Sequence, residues 1–152
     1  MTPHLPTVSN VPPDAAVRLS YAGLAPFLAG ALLAWLLGRD EYLDAHAFVM
    51  QGLSGYAATV IAFLGALHWG LAVRDGGPVS AWYWGVVPAL VAWVALLMPP
   101  YAGLIVHGVL LLVCYGVDRQ RFPAMGLSGW LTLRFRCTVL AALCCFLAAA
   151  AT

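Results

Sequence analysis

Charged residues in this chain are gathered into a few clumps, and long apolar runs separate them. Between Arg18 and Arg39 lie 20 uncharged residues; between Asp44 and Arg74, 29; between Asp75 and Asp118, 42; and 16 more follow from Cys137 to the end. About 20 mainly apolar residues carry a helix across a ~30 Å hydrocarbon layer. The pattern predicts an all-α membrane protein, a bundle of five transmembrane helices at about 19–37, 47–73, 80–98, 101–117 and 132–151. An extended tail over 1–17 precedes a single transmembrane domain over 18–152. The 42-residue run must hold two helices, because one would be about 63 Å long, twice the hydrocarbon thickness. Pro99-Pro100 supplies the break, since neither can donate a backbone hydrogen bond. The longest connection is 119–131, where Pro123, Gly126 and Gly129 argue against a continuous helix. No internal repeat is visible, which weakens an inverted-repeat transporter.

Composition moves the same way. The chain is 63% hydrophobic and 9% charged, against about 25% charged in an ordinary soluble domain. So few polar groups cannot cover a water-exposed surface. The N-terminal MTPHLPTVSNVPPDAAVR lacks the basic start of a cleavable signal and the arginines of a mitochondrial presequence, so the first apolar run is expected to stay as an anchor. The four cysteines (Cys114, Cys137, Cys144, Cys145) fall in apolar runs without a CxxC pair and read as small buried groups.

Charge placement gives a direction. All seven basic residues are arginine, and six of them (Arg18, Arg74, Arg119, Arg121, Arg134, Arg136) fall at one face of the five-span scheme. The other face holds Arg39 beside Asp40, Glu41 and Asp44. Basic residues stay cytoplasmic on insertion. The expectation is a multi-pass protein of the bacterial inner (cytoplasmic) membrane, N-terminus cytoplasmic and C-terminus periplasmic. Trp82, Tyr83, Trp84 and Trp130 then form the inner aromatic girdle, and Trp35, Tyr42 and Tyr101 the outer one. Positive-inside placement alone accounts for the arginines; recognition of an anionic headgroup is the alternative. Nothing supports nucleic-acid binding.

Two sets of residues bear on packing. Gly55, Ala58, Ala62, Gly65 and Trp69 recur at steps of three and four along the second span, a face on which small side chains let a neighbouring backbone approach. It serves an intramolecular seam, or a homodimer or another membrane protein. Pro26 and Pro88 lie inside the first and third spans and release the carbonyls of Ala22 and Trp84, giving either kinked packing or a lined cavity.

The chemistry collects at the arginine-rich end, around GALHWGLAVRDGG (65–77). Tyr21, His68, Trp69, Trp82, Asp118, Arg134 and Arg136 are expected there at similar depth and form the candidate ligand-binding set. Ionisable groups at this level are costly and should pair or face a wet cavity. Asp118 needs a cation, from Arg134 or Arg136; these stand about 200° apart on a helix, so only one can face inward. His68 has a carbonyl or Tyr21 as its expected partner. His107, roughly 9 Å from the opposite boundary, sits at a different level and cannot share a metal or haem with it. Neither a catalytic nor a metal-binding residue is assigned, and the cofactor is unknown.

The stretches YAGLAPF (21–27), FLGALHWGLAV (63–73), VVPALVAWVALLMPP (86–100), Asp118-Arg119 and WLTLRFRCT (130–138) resemble the small membrane proteins of the domain of unknown function 3429 family over roughly 18–150. The HWG element and the Leu-Arg-x-Arg helix start are its more specific marks. Leu131 departs from it where a second aromatic is expected. The resemblance implies a polytopic inner-membrane protein and carries over no catalytic residue.

Three functions compete. A non-enzymatic scaffold or assembly subunit of a membrane complex follows from small size, short loops, small-residue seams and the absence of a polar pair at mid-bilayer. The alternative is a binder of an amphipathic small molecule (quinone, lipid or tetrapyrrole) in a cavity near the cytoplasmic leaflet. A lipid-directed enzyme is the weakest: Asp75 and Asp118 are the acids near that face, and Ser80 and Ser128 lack an evident triad.

Overall fold

A computed structural model describes residues 10–38 and 40–151. His4, much of the N-terminal tail and Arg39 lie outside the described residues. Among the described residues six helices run along the chain: α1 (Asp14–Ala22), α2 (Ala25–Leu36), α3 (Leu43–Asp75), α4 (Val79–Leu96), α5 (Pro100–Arg121) and α6 (Leu131–Ala149), with one-turn 3₁₀ segments at Asp40–Tyr42, Pro123–Met125 and Ser128–Trp130. Five stretches of the described residues are long and apolar enough to cross a membrane: Asp14–Leu36, Leu43–Asp75, Val79–Leu96, Pro100–Arg121 and Ser128–Ala149. This is a multi-pass helical membrane protein, and no strand occurs among the described residues.

The first span differs from its expected form. It starts at Asp14 rather than near residue 19, and it is two helices end to end. Pro26 has no N–H for the Ala22 carbonyl, and the helix breaks just before it, at Gly23-Leu24, whereas α4 continues through Pro88. The chain tightens instead, with Leu24 N–H donating to Tyr21 O at 3.0 Å. The exposed Gly23 carbonyl is taken by the Tyr56 hydroxyl of α3 at 2.8 Å. Phe27 packs edge-on against that tyrosine, with centroids 5.2 Å apart.

The other boundaries follow local chemistry. Gly76 ends α3 in the left-handed conformation (φ 69°), where a Cβ would be strained. Pro99-Pro100 separates α4 from α5, with Pro100 at the first turn, where no N–H is needed. Helix α3, at 33 residues, is the longest. At 1.5 Å per residue it measures about 50 Å, more than the hydrocarbon layer, so it tilts or projects beyond it.

α3 is the hub. It packs mainly on α4 and also on α2 and α5; α5 pairs with α6, and α6 returns to α2. The buried stripe of α3 runs Met50, Leu53, Ser54, Ala57, Ala58, Ile61, Leu64, Gly65, His68, Ala72. That of α5 runs Gly103, Leu104, His107, Gly108, Leu111, Cys114, Asp118. The core is rich in small residues, while Leu32, Leu36, Phe63, Leu90, Trp93 and Leu143 point outward. Apolar bulk outside and small residues inside suit a lipid solvent, where close backbone approach drives association.

The small-residue face of α3 divides. A Cβ on Gly65 would stand 3.2 Å from the Gly85 carbonyl, and one on Gly85 would stand 2.9 Å from Trp69 Cβ, so this end is a seam with α4. At Gly55 an added Cβ meets nothing within 4 Å. At the end of the bundle opposite most of the arginines, the Trp35 indole donates to Leu147 O at 2.9 Å, covering one of the last carbonyls of α6.

Candidate functional site

Helical phase carries the polar residues inward. His68 follows Leu64 and Gly65 by four and three positions, and Asp118 follows Cys114 by four, so each continues a buried stripe. Their side chains meet: His68 Nε2–H donates to Asp118 Oδ1 at 2.7 Å. Arg134, from the first turn of α6, donates through Nε to Asp118 Oδ2 at 2.9 Å, and its Nη2 reaches the same oxygen. Asp118 thus pairs with Arg134, one of its two expected partners, and Arg136 is exposed. One carboxylate thus faces one guanidinium and one imidazole. His68 is fully enclosed, and its Nδ1 has no partner. Its partner is neither a helix carbonyl nor Tyr21, because the carboxylate within reach is the stronger acceptor.

The other members of the expected set lie elsewhere. Trp69 and Trp82 meet edge to face, with centroids 6.0 Å apart at 89°, but both are partly exposed on the α3–α4 flank. Tyr21 is 39% exposed on α1. The seven residues therefore form a buried triad (His68, Asp118, Arg134), an aromatic pair and two outward side chains.

A second buried polar group lies closer to mid-membrane, where none was expected. Ser54 and His107 meet at 3.2 Å, and His107 Nε2–H donates to Ala92 O at 3.1 Å. A carbonyl only accepts, so Nε2 carries the proton and Nδ1 accepts from the Ser54 hydroxyl. This ties α3, α4 and α5 together. The signal was present: Ser54 and His107 sit in the phase of the buried stripes, but they lie on different spans 53 positions apart.

Beside the triad is a half-open cavity of about 560 Å³ between α1, α3 and α6. Ala16, Leu19 and Ser20 of α1 form one wall, and Val60, Phe63, Leu64 and Leu67 of α3 another. Phe122, Leu127 and Trp130 line it near the arginine-rich end, and Gly23, Tyr56 and Ala141 toward mid-membrane. From Trp130 to Ala141 the helical rise is about 16 Å. Of the seven expected residues only Arg134 lines this space, together with Cys137 and Thr138 from the same helix face. The Thr138 hydroxyl is buried without a partner. No histidine is in the lining. Among the described residues no group of three or more His, Cys, Asp or Glu side chains converges as metal ligands do.

The wall formed by α1 is fastened at both ends. Tyr56 holds Gly23, and Asn10 Oδ1 accepts from Gly129 N–H at 2.8 Å and from the Ser128 hydroxyl at 3.3 Å. Between these fastenings no residue of α1 is fully buried.

Residues 12–150 match the family described as Protein of unknown function (DUF3429). The chain belongs to that family. The DUF3429 chain is also 36% identical over 89 residues to transmembrane protein 69 of Xenopus tropicalis, covering 56% of its own length and 33% of the frog protein. It is 32% identical over 89 residues to transmembrane protein 69 of Mus musculus, covering 56% of its own length and 34% of the mouse protein. The aligned stretch thus spans about a third of the length of these relatives. No solved structure matches the DUF3429 chain.

Proposed function

We propose that this DUF3429 protein binds an amphipathic molecule, a lipid or an isoprenoid quinone, in the cavity between α1, α3 and α6. The supporting observation is the cavity itself: about 560 Å³, apolar along its length, with Arg134 and Thr138 as a polar corner. Ligand sites for small molecules fall in the range of about 300–1,000 Å³ and combine an apolar lining with a few fixed polar groups. A tetrapyrrole is less well served, since no lining histidine offers an axial ligand. We place the protein in the bacterial inner membrane with its arginine-rich end toward the cytosol, on the distribution of Arg18, Arg74, Arg119, Arg121, Arg134 and Arg136. The polar corner then lies at the cytoplasmic leaflet. The triad supports the site from behind, holding Arg134 in place through Asp118.

Native mass spectrometry of the protein released from mild detergent tests this. The unaltered chain is expected to retain a small molecule. Ser20→Trp fills the cavity from α1, whose residues are not part of the buried core, and should expel that molecule while the protein stays folded. Equal retention in the variant removes the site.

Assembly is the second reading, carried by Gly55, around which an added Cβ finds open space. A second copy of the chain docking on this end of α3 is the form it takes.

A further inference from the structure

We infer that the cavity selects an occupant with an uncharged head bearing accepting oxygens, a carbonyl above all, over one bearing a phosphate or carboxylate. This rests on the cavity being a binding site. Among the described residues Arg134 is the one charged residue that lines it. Its charge is already matched: Nε and Nη2 both engage Asp118 Oδ2, and the Asp118 side chain is 3% exposed. An anionic head would therefore meet no surplus cation. It would be stripped of water in an apolar slot and would approach a carboxylate lying just behind the guanidinium.

A neutral carbonyl asks only for donors, and Arg134 and Thr138 are among the donor-bearing side chains that line the slot. The Nη1 arm of Arg134 is the one not engaged with Asp118. Thr138 follows one turn later, about 6 Å along the same helix face. It is 2% exposed, and its hydroxyl has no partner. A buried hydroxyl without a hydrogen bond is uncommon in a folded protein and is relieved by an incoming acceptor. Arg134 and Thr138 lie one and two turns beyond Trp130, so the head seats near the membrane boundary. The apolar tail then runs toward Tyr56 and Ala141. An isoprenoid quinone and an uncharged acylglycerol both present this chemistry.

Competition in native mass spectrometry decides the matter. The protein in mild detergent is offered equimolar decylbenzoquinone, dioctanoylglycerol and dioctanoyl phosphatidate. One neutral probe is expected to be bound at least fivefold over phosphatidate, and which one wins identifies the source. Thr138→Val keeps the side-chain shape and should weaken the preferred probe about three- to tenfold, the worth of one neutral hydrogen bond, with Thr138→Ser restoring it. Phosphatidate bound as strongly as both neutral probes overturns the inference, as does an unchanged affinity in Thr138→Val. The Ser20→Trp variant separates the two levels. If it expels the occupant and phosphatidate still wins, the cavity stands and the neutral-head inference falls; if it changes nothing, the cavity itself is lost. Should no probe bind while Ser20→Trp expels a native molecule, the mass of that molecule decides, and a phospholipid counts against a neutral head.

Discussion

Asp118 binds two side chains from two other helices, and its removal exposes how the triad works. Asp118→Asn leaves the Arg134 guanidinium without a counter-charge in a mostly buried position, where side-chain exposure is 14%. Breaking a buried pair by removing one partner costs about 3–5 kcal/mol. We expect a loss of that size, seen as a clearly lower Tm in detergent. The double change Asp118→Leu with Arg134→Met removes both charges and should cost less than Asp118→Asn alone; a larger loss in the double variant refutes the pairing. That Asp118 sits inside the bundle was legible from its phase: positions 107, 111, 114 and 118 share one stripe, and all are buried. Its need for an arginine also follows from the cost of a lone charge in lipid. His68 as the second partner was not legible, since the two residues stand 50 positions apart and only packing sets which carboxylate a histidine reaches. Thr138 was hidden for a different reason. A helical threonine ordinarily bonds back to a carbonyl one turn earlier, and nothing in the sequence distinguishes one that does not.

At the scale of elements, glycines separate contact from open space. A Cβ on Gly103 would lie 2.6 Å from the Ala95 carbonyl, a backbone atom with little room to yield. Gly103→Ala should therefore force α4 and α5 apart and cost about 1–3 kcal/mol, measured by thermal unfolding. Gly52→Ala and Gly55→Ala meet nothing within 4 Å, so each should be neutral or gain about 0.5–1 kcal/mol from helix propensity. A homodimer through this face predicts instead that Gly55→Leu shifts the protein to monomer in analytical ultracentrifugation, and an unchanged mass discards that face. Gly129 tests the fastening of α1: an added Cβ runs into the Asn10 backbone carbonyl. Gly129→Ala should release the N-terminal segment and speed proteolysis before α1, with α3 to α6 still protected. The broken first span was half legible. Pro26 marks the site, but Tyr56 as the group that takes up the exposed Gly23 carbonyl is a tertiary fact, and so is the cavity that the offset helices leave between them.

For the whole molecule, the span count follows from charge-free length, and all five expected spans have counterparts. Their ends moved outward in several cases, notably α3 to Leu43–Asp75 and α5 to Pro100–Arg121, because helices continue past the apolar run until a glycine or proline stops them. Orientation is a separate property and has its own test. In spheroplasts, Glu41→Cys should react with a membrane-impermeant maleimide, whereas Ser128→Cys should react only after permeabilisation; the reverse result inverts the proposed placement. The nine residues of α1 carry a further consequence. Because none of them is enclosed by the bundle, Ala16, Leu19 and Ser20 can change without disturbing the stripes that hold α3, α5 and α6 together. On the proposed binding function, specificity and foldability are thereby uncoupled along this chain, because one wall of the cavity can be edited within one short segment near the amino terminus.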